Sequence, residues 1–389
     1  MKICIDSHEG EFSGEIAKYC MDEDYIWFYD EISGGLYRLD KTIYIVDVLL
    51  TPMDIHQKEI FPVRQIVKWE NKIYIIPNNI SHKWLVYNIE GKRLESVQVS
   101  SQSYEIGNAV GMGEWIYLIP EKTNHMIAIV DAETLKIKMI ITNWYKNNIK
   151  KLECWGHSVF EDMILLPIID TGEIYQIQGE QISALRLYIK QPIYSISLSK
   201  DGIWILPGEG KSIFFINKNS EFIDSFEIQK IEDENAAERF ARIIAVDKYA
   251  FLLPKQGGQI LVLDTSNKSW TVLGNKEEAP FRSLYQKTRN LPYWGCYYNE
   301  GSLYMLPLQY RFAEINVENQ SINYKVLRCA DTLLEQQYIS WVQWFHEKTK
   351  INMYVEWEKN SLKNFLEITL KHNLTCSTSS IGKNIWMME

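Results

Sequence analysis

The sequence predicts an all-β chain made of seven copies of one four-stranded unit. Two observations predict it: a short apolar run that recurs through the chain, and a second apolar run that follows each copy at a nearly constant distance. The first run ends in proline six times, at Pro77, Pro120, Pro167, Pro207, Pro254 and Pro307, and once in Tyr29. Successive landmarks stand 48, 43, 47, 40, 47 and 53 residues apart. The second run ends in a polar residue at Asp40, Asn88, Asp131, Gln178, Asn217, Asp264 and Asn316, offset by 11, 11, 11, 11, 10, 10 and 9 residues. An offset held this closely over seven copies marks a structural repeat.

Each copy reads as strands A to D. In the third copy, strand A lies near residues 108–111, B over 115–119, C over 126–130 and D over 135–141. The runs are four to six residues long, rich in β-branched and aromatic residues, and lack a 3.6-residue period, which excludes a helical solenoid. Asp and Asn at the end of strand C suit a turn, because their side chains accept hydrogen bonds from the backbone a few residues on. Proline at the end of strand B has no N–H to donate and stands where the chain leaves the ladder. Strand B is apolar on both sides, so both faces of each unit must be covered by neighbours.

Four antiparallel strands every 40 to 50 residues, seven times over, resemble the blades of the β-propeller superfamily. The resemblance covers residues 13–328 and implies a seven-bladed ring. It carries no signature of a named branch. The GH and WD pairs of WD40 repeats and the double glycine of kelch repeats are absent. The sialidase Asp-box, S-x-D-x-G-x-T-W, is echoed only by SKDGIW at Ser199–Trp204, which reads as a hairpin turn. Residues 1–12 precede the blades, and Met1–Ile5 is expected to add a strand that helps close the ring. Residues 329–389 read as a small α/β extension packed on the propeller, with helices at 331–346 and 361–371 and strands at 350–357 and 385–388.

Composition narrows the functional classes. The chain is 46% hydrophobic, 13% aromatic and only 23% charged, which is a globular composition. Its net charge of −9 disfavours nucleic acid, whose phosphates need clustered Lys and Arg. No run of about 18 apolar residues is present, so membrane insertion is not expected. The N-terminal apolar stretch is too short for a signal peptide, and the expected location is the cytoplasm, in a bacterial-type soluble protein. Six widely spaced cysteines with no CxxC pair argue against zinc and against a disulfide framework. No metal or cofactor is expected.

In a propeller the A strands line a central channel, and the D–A and B–C connections emerge together on one face, where ligands usually bind. On that face CWGHS and YWGCYY place Trp155, His157 and Trp294 near the channel mouth, where indole rings stack on sugars or planar groups. The B–C connections add Asn124, His125, Asp170, Glu209, Lys211, Gln309 and Arg311, side chains suited to hydrogen-bonding a carbohydrate or peptide. Asp170 and Glu209, in equivalent connections of adjacent blades, are the carboxylate pair a glycosidase-type site would use. Cys296 and His157 fall in blades 7 and 4, across the ring from one another, which argues against a thiol–imidazole pair. GEGKS at 208–212 lacks the helix a phosphate loop requires and reads as a B–C connection. The favoured function is a non-catalytic binding or scaffolding propeller for a carbohydrate, peptide or protein partner. A carbohydrate-active hydrolase or lyase at the same mouth is the alternative. The oligomeric state is open.

Overall fold

The computed structural model describes residues 9–11, 16, 18–30, 34–51, 54–55, 62–120, 126–141, 158–160, 162–168, 172–186, 189, 191–217, 223–229, 236–255, 259–274, 293–307 and 312–330. Among these residues the strands form seven four-stranded antiparallel sheets, each made from strands consecutive in sequence. The chain is a seven-bladed β-propeller. Strand A of the blades runs, in order, over Lys18–Met21, Val63–Trp69, Ile106–Met112, Ser158–Phe160, Ile193–Leu198, Phe240–Val246 and Tyr293–Asn299. The third blade continues with Trp115–Pro120, Met126–Asp131 and Ile137–Ile141, close to the expected limits.

The core is divided among the seams between blades. Seven buried apolar clusters are present among the described residues, and each draws on two adjacent blades. Alternation along strand B explains this. In blade 2, Ile73 and Ile75 face blade 1 while Tyr74 and Ile76 face blade 3. In blade 6, Ala250 and Leu252 face blade 5 while Phe251 and Leu253 face blade 7. Successive side chains leave opposite faces of a strand, so a strand buried on both faces must be apolar throughout. Each fully buried Ile or Leu contributes roughly 1.5–3 kcal/mol relative to exposure.

The two sequence landmarks have distinct physical causes. In blades 2, 3, 5, 6 and 7 the proline pairs with the first residue of strand A and has no partner on strand C. It sits where strand B has a neighbour on one side only, so the missing N–H leaves no gap in the ladder. The polar residue ending strand C closes the C–D turn. Asp40 Oδ1 accepts from the amides of Thr42 and Ile43, Asn88 Oδ1 from Gly91, Asp131 Oδ1 from Thr134, Asp264 Oδ1 from Ser266 and Asn316 Oδ1 from Asn319. Four residues after these acceptors stand Tyr44, Lys92, Leu135, Lys268 and Gln320, all with positive φ.

The ring closes by packing and by the chain ends. Ile26, Phe28 and Tyr37 of blade 1 share a cluster with Tyr297, Leu306 and Phe312 of blade 7. Glu9–Glu11 pairs antiparallel with Arg328–Ala330, and Arg328 joins blade 1 through a parallel bridge to Ile45 and an N–H donated to Tyr44 O at 2.9 Å. Ile16 N–H donates to Pro307 O of blade 7. Met1–Ile5 and the expected elements after residue 330 lie outside the described residues. Among the described residues no helix is long and apolar enough to cross a membrane.

Candidate functional site

Around the axis, the A strands carry a belt of mixed polarity. The residue that pairs with the one just before each strand-B landmark is Tyr19, Gln65, Asn108, Ser195, Arg242 and Gly295 in blades 1, 2, 3, 5, 6 and 7. Some of these side chains act within their own strand and others reach the next blade. Gln65 Oε1 and Asn108 Oδ1 each accept the following amide, and the buried Ser195 Oγ accepts Ile243 N–H of blade 6 at 3.3 Å. Ser197 Oγ accepts Ala245 N–H at 2.9 Å. Tyr19 reaches past Gly295 of blade 7 toward the charge of Arg242 of blade 6. Gly295 makes that reach possible, because a Cβ there would lie 2.0 Å from the Tyr19 hydroxyl oxygen. Burial pushes the Tyr19 phenol up, with the Arg242 charge opposing.

At the channel mouth, five A strands carry a register shift after their first paired residue. The extra residue is Arg64, Gly107, Tyr194, Ala241 or Trp294. Such bulges take a residue out of the ladder and re-aim it, often beside sites. Trp294 therefore occupies a bulge in strand A of blade 7. Tyr194 at the matching position in blade 5 lies under Lys255, whose Nζ is 4.2 Å from the ring centroid. Glu209 and Lys211 are exposed in the B–C connection of blade 5, which the backbone ties to Ile228 and Ala237. Trp155, His157, Asn124, His125, Asp170, Gln309 and Arg311 lie outside the described residues. The Cys296 thiol is pushed up to about 12 by burial, against the opposing Arg242 charge. It stays protonated near neutral pH and is poorly suited to nucleophilic attack.

A cleft opens on the opposite face, at the seam of blades 5 and 6, with a volume of about 440 Å³. The A–B turn of blade 5 brings Ser199 and Asp201, and its strands B, C and D bring Trp204, Phe215, Asn217, Asp224 and Phe226. Blade 6 brings Asp247 and Lys248 from its A–B turn, and Thr265 and Lys268 from its C–D turn. The hairpin is set by Ser199, whose N–H and Oγ both donate to Gly202 O. The SKDGIW segment is thus a hairpin turn, as its sequence suggests, and it also forms one wall of the cleft.

The floor is aromatic. The Trp204 ring lies 4.8 Å from Phe215 and 5.4 Å from Phe226, centroid to centroid. The rim is charged. Lys248 Nζ pairs with Asp264 Oδ2 at 3.2 Å. Burial raises the Asp264 pKa, but the Ser266 amide and Lys248 outweigh it and hold the carboxyl below its ordinary value. Lys268 Nζ stands 5.9 Å from the Phe226 centroid. Asp247 Oδ2 accepts from the hydroxyl of Tyr298 of blade 7, a residue 47% exposed, at 3.3 Å. Asp201 and Asp224 are exposed, and no hydrogen bond to either carboxylate is present among the described residues. No group of His, Cys, Asp or Glu among the described residues is arranged to hold a metal ion.

No protein-family model matches the chain, and no curated protein does. Solved structures match through the fold. PorZ, a bacterial surface component of the type-IX secretion system of Porphyromonas gingivalis, aligns at 11% identity and TM-score 0.50, over 82% of this chain and 39% of PorZ. The chain therefore spans about two fifths of PorZ. The extracellular domain of a one-component system from B. thetaiotaomicron aligns at 13% identity and TM-score 0.52, over 78% of this chain and 39% of that one. Hsv2 of Kluyveromyces lactis aligns at 9% identity and TM-score 0.50, over 80% of this chain and 98% of Hsv2. At these identities the likeness is one of fold.

Proposed function

We propose that this protein is a non-catalytic binding or scaffolding propeller, and that the cleft between blades 5 and 6 is a principal recognition site. The observation that carries the reading is the cleft itself. It joins an aromatic floor to a rim of exposed carboxylates, and its volume falls in the range of roughly 300–1,000 Å³ typical of ligand sites. The floor supplies contact area, and the rim supplies orientation. The channel mouth is a second contact surface in this reading, where strand A of blade 7 bulges at Trp294. The reading places the protein in the cytoplasm, where thiols such as those of Cys20 and Cys296 stay reduced.

The test is a glycan and peptide array probed with the full chain, followed by equilibrium titration of the hits. Binding weakened by Phe226→Ala places recognition at the cleft, and binding weakened by Trp155→Ala with Trp294→Ala places it at the mouth. Hits unaffected by either set overturn the reading. Mass spectrometry of the recovered ligand separates the carbohydrate-active alternative, which requires a cleaved product.

A further inference from the structure

We infer that the blade 5–6 cleft takes the guanidinium of an arginine carried by a partner peptide. The inference rests on the reading of that cleft as a recognition site and names the chemistry it selects. Three carboxylates, Asp201, Asp224 and Asp247, face the cleft, and the described structure gives none of them a cationic partner. Lys248 is already committed to Asp264. Among the described lining residues that leaves the carboxylates of Asp201, Asp224 and Asp247 beside Lys268.

Lys268 Nζ itself lies over the Phe226 ring, 5.9 Å from its centroid. A cation is thus already held against the aromatic wall, which is the geometry of cation–π attraction. Phe226 is only half-buried, so its ring is reachable from the cleft. A guanidinium suits the remaining space better than an ammonium. Its plane lies flat on an aromatic face, and its forked N–H groups match the two oxygens of a carboxylate. A divalent metal would need converging oxygen ligands, and the described carboxylates do not converge in that way. Tyr298, exposed beside Asp247, extends the aromatic surface toward blade 7, where the residues flanking the arginine would run.

The experiment uses fluorescein-labelled nine-residue Gly/Ser peptides whose central residue is Arg, Lys, citrulline or Glu, titrated with the full-length protein by fluorescence anisotropy. Citrulline keeps the shape of arginine and removes the charge. The central-Arg peptide is expected to bind at least ~10-fold more tightly than the citrulline peptide, with binding falling as salt rises. The double variant Asp201→Asn with Asp224→Asn should lose most of that preference, and both sites are exposed, so the fold survives. Competition by L-argininamide separates a free amino-acid ligand from a peptide. Displacement at equal concentration would overturn the peptide assignment. Equal binding of the Arg and citrulline peptides, binding indifferent to the Asn variants, or no binding of any peptide each overturns the inference. If a neutral ligand binds and only Phe226→Ala weakens it, the cleft remains a recognition site and the arginine assignment falls. If Phe226→Ala has no effect on any ligand, the cleft reading itself falls.

Discussion

Gly295→Ala should loosen the ring at the place where it closes. A Cβ at this position would stand 2.0 Å from Tyr19 Oη, 2.6 Å from Cζ and 2.8 Å from Cε1, whereas ordinary contact begins near 3.4 Å. The Tyr19 ring must therefore retreat by more than an ångström. Its hydroxyl lies within reach of the Arg242 charge, two blades away around the ring, and its ring packs against the blade 7–blade 1 cluster. Retreat strains the cluster, and overpacking of this kind costs about 1–3 kcal/mol. Urea denaturation followed by tryptophan fluorescence gives the change in midpoint. Tyr19→Ala frees the space, so the two substitutions should not add: the double variant should be more stable than the sum of the singles implies by about 1 kcal/mol or more. A Gly295→Ala protein within 0.5 kcal/mol of the parent, or strict additivity with Tyr19→Ala, would refute the reasoning that glycine is there to let Tyr19 pass.

Three further outcomes follow from local geometry. Ser195→Ala removes the acceptor for Ile243 N–H between blades 5 and 6 and should cost about 1–2 kcal/mol, with faster hydrogen exchange at Ile243; unchanged exchange would contradict the pairing. Lys92 holds φ 48° in an exposed C–D turn, so Lys92→Gly should raise the urea midpoint by the equivalent of about 0.5–1 kcal/mol. Glu314 is held below its ordinary pKa of 4.5, chiefly by the Lys325 hydrogen bond and further by Ser302 and Tyr304. A depressed carboxylate adds stability that is present above the unfolded value and is lost as pH falls through the folded one. Stability should therefore drop as pH falls below about 4.5, by at most roughly 1 kcal/mol for this partly exposed pair, and Glu314→Gln should remove that part of the slope.

How much of this was legible in the sequence depends on whether a feature repeats. Strand B and the C–D turn answer the same demands in every blade, burial on two faces and a capped reversal, so their residues recur and can be counted. The belt at the axis does not recur. Tyr19, Arg242 and Gly295 share one register position but differ in type, because each serves a neighbour rather than its own blade. Ring closure is equally silent: Glu9–Glu11 and Arg328–Ala330 are ordinary short segments whose pairing exists only once the ring is formed.

The cleft was missed for a related reason. Fold analogy directed attention to the D–A and B–C face, while the described cleft lies at the A–B and C–D turns, where Asp201, Asp247 and Lys268 read as routine turn residues. One signal was available. Two residues before the polar landmark of strand C, the other blades carry Arg38, Val86, Ile129, Gln176, Val262 and Glu314, whereas blade 5 carries Phe215. Two of those positions show what the site does elsewhere: Arg38 lies 4.5 Å from the Tyr25 ring centroid, and Glu314 binds Lys325. An aromatic ring there fills no role common to the blades. It completes the cluster with Trp204 and Phe226 that floors the cleft. In a repeat protein the shared pattern specifies the scaffold, so the residue that departs from it in a single blade is where recognition chemistry should be sought.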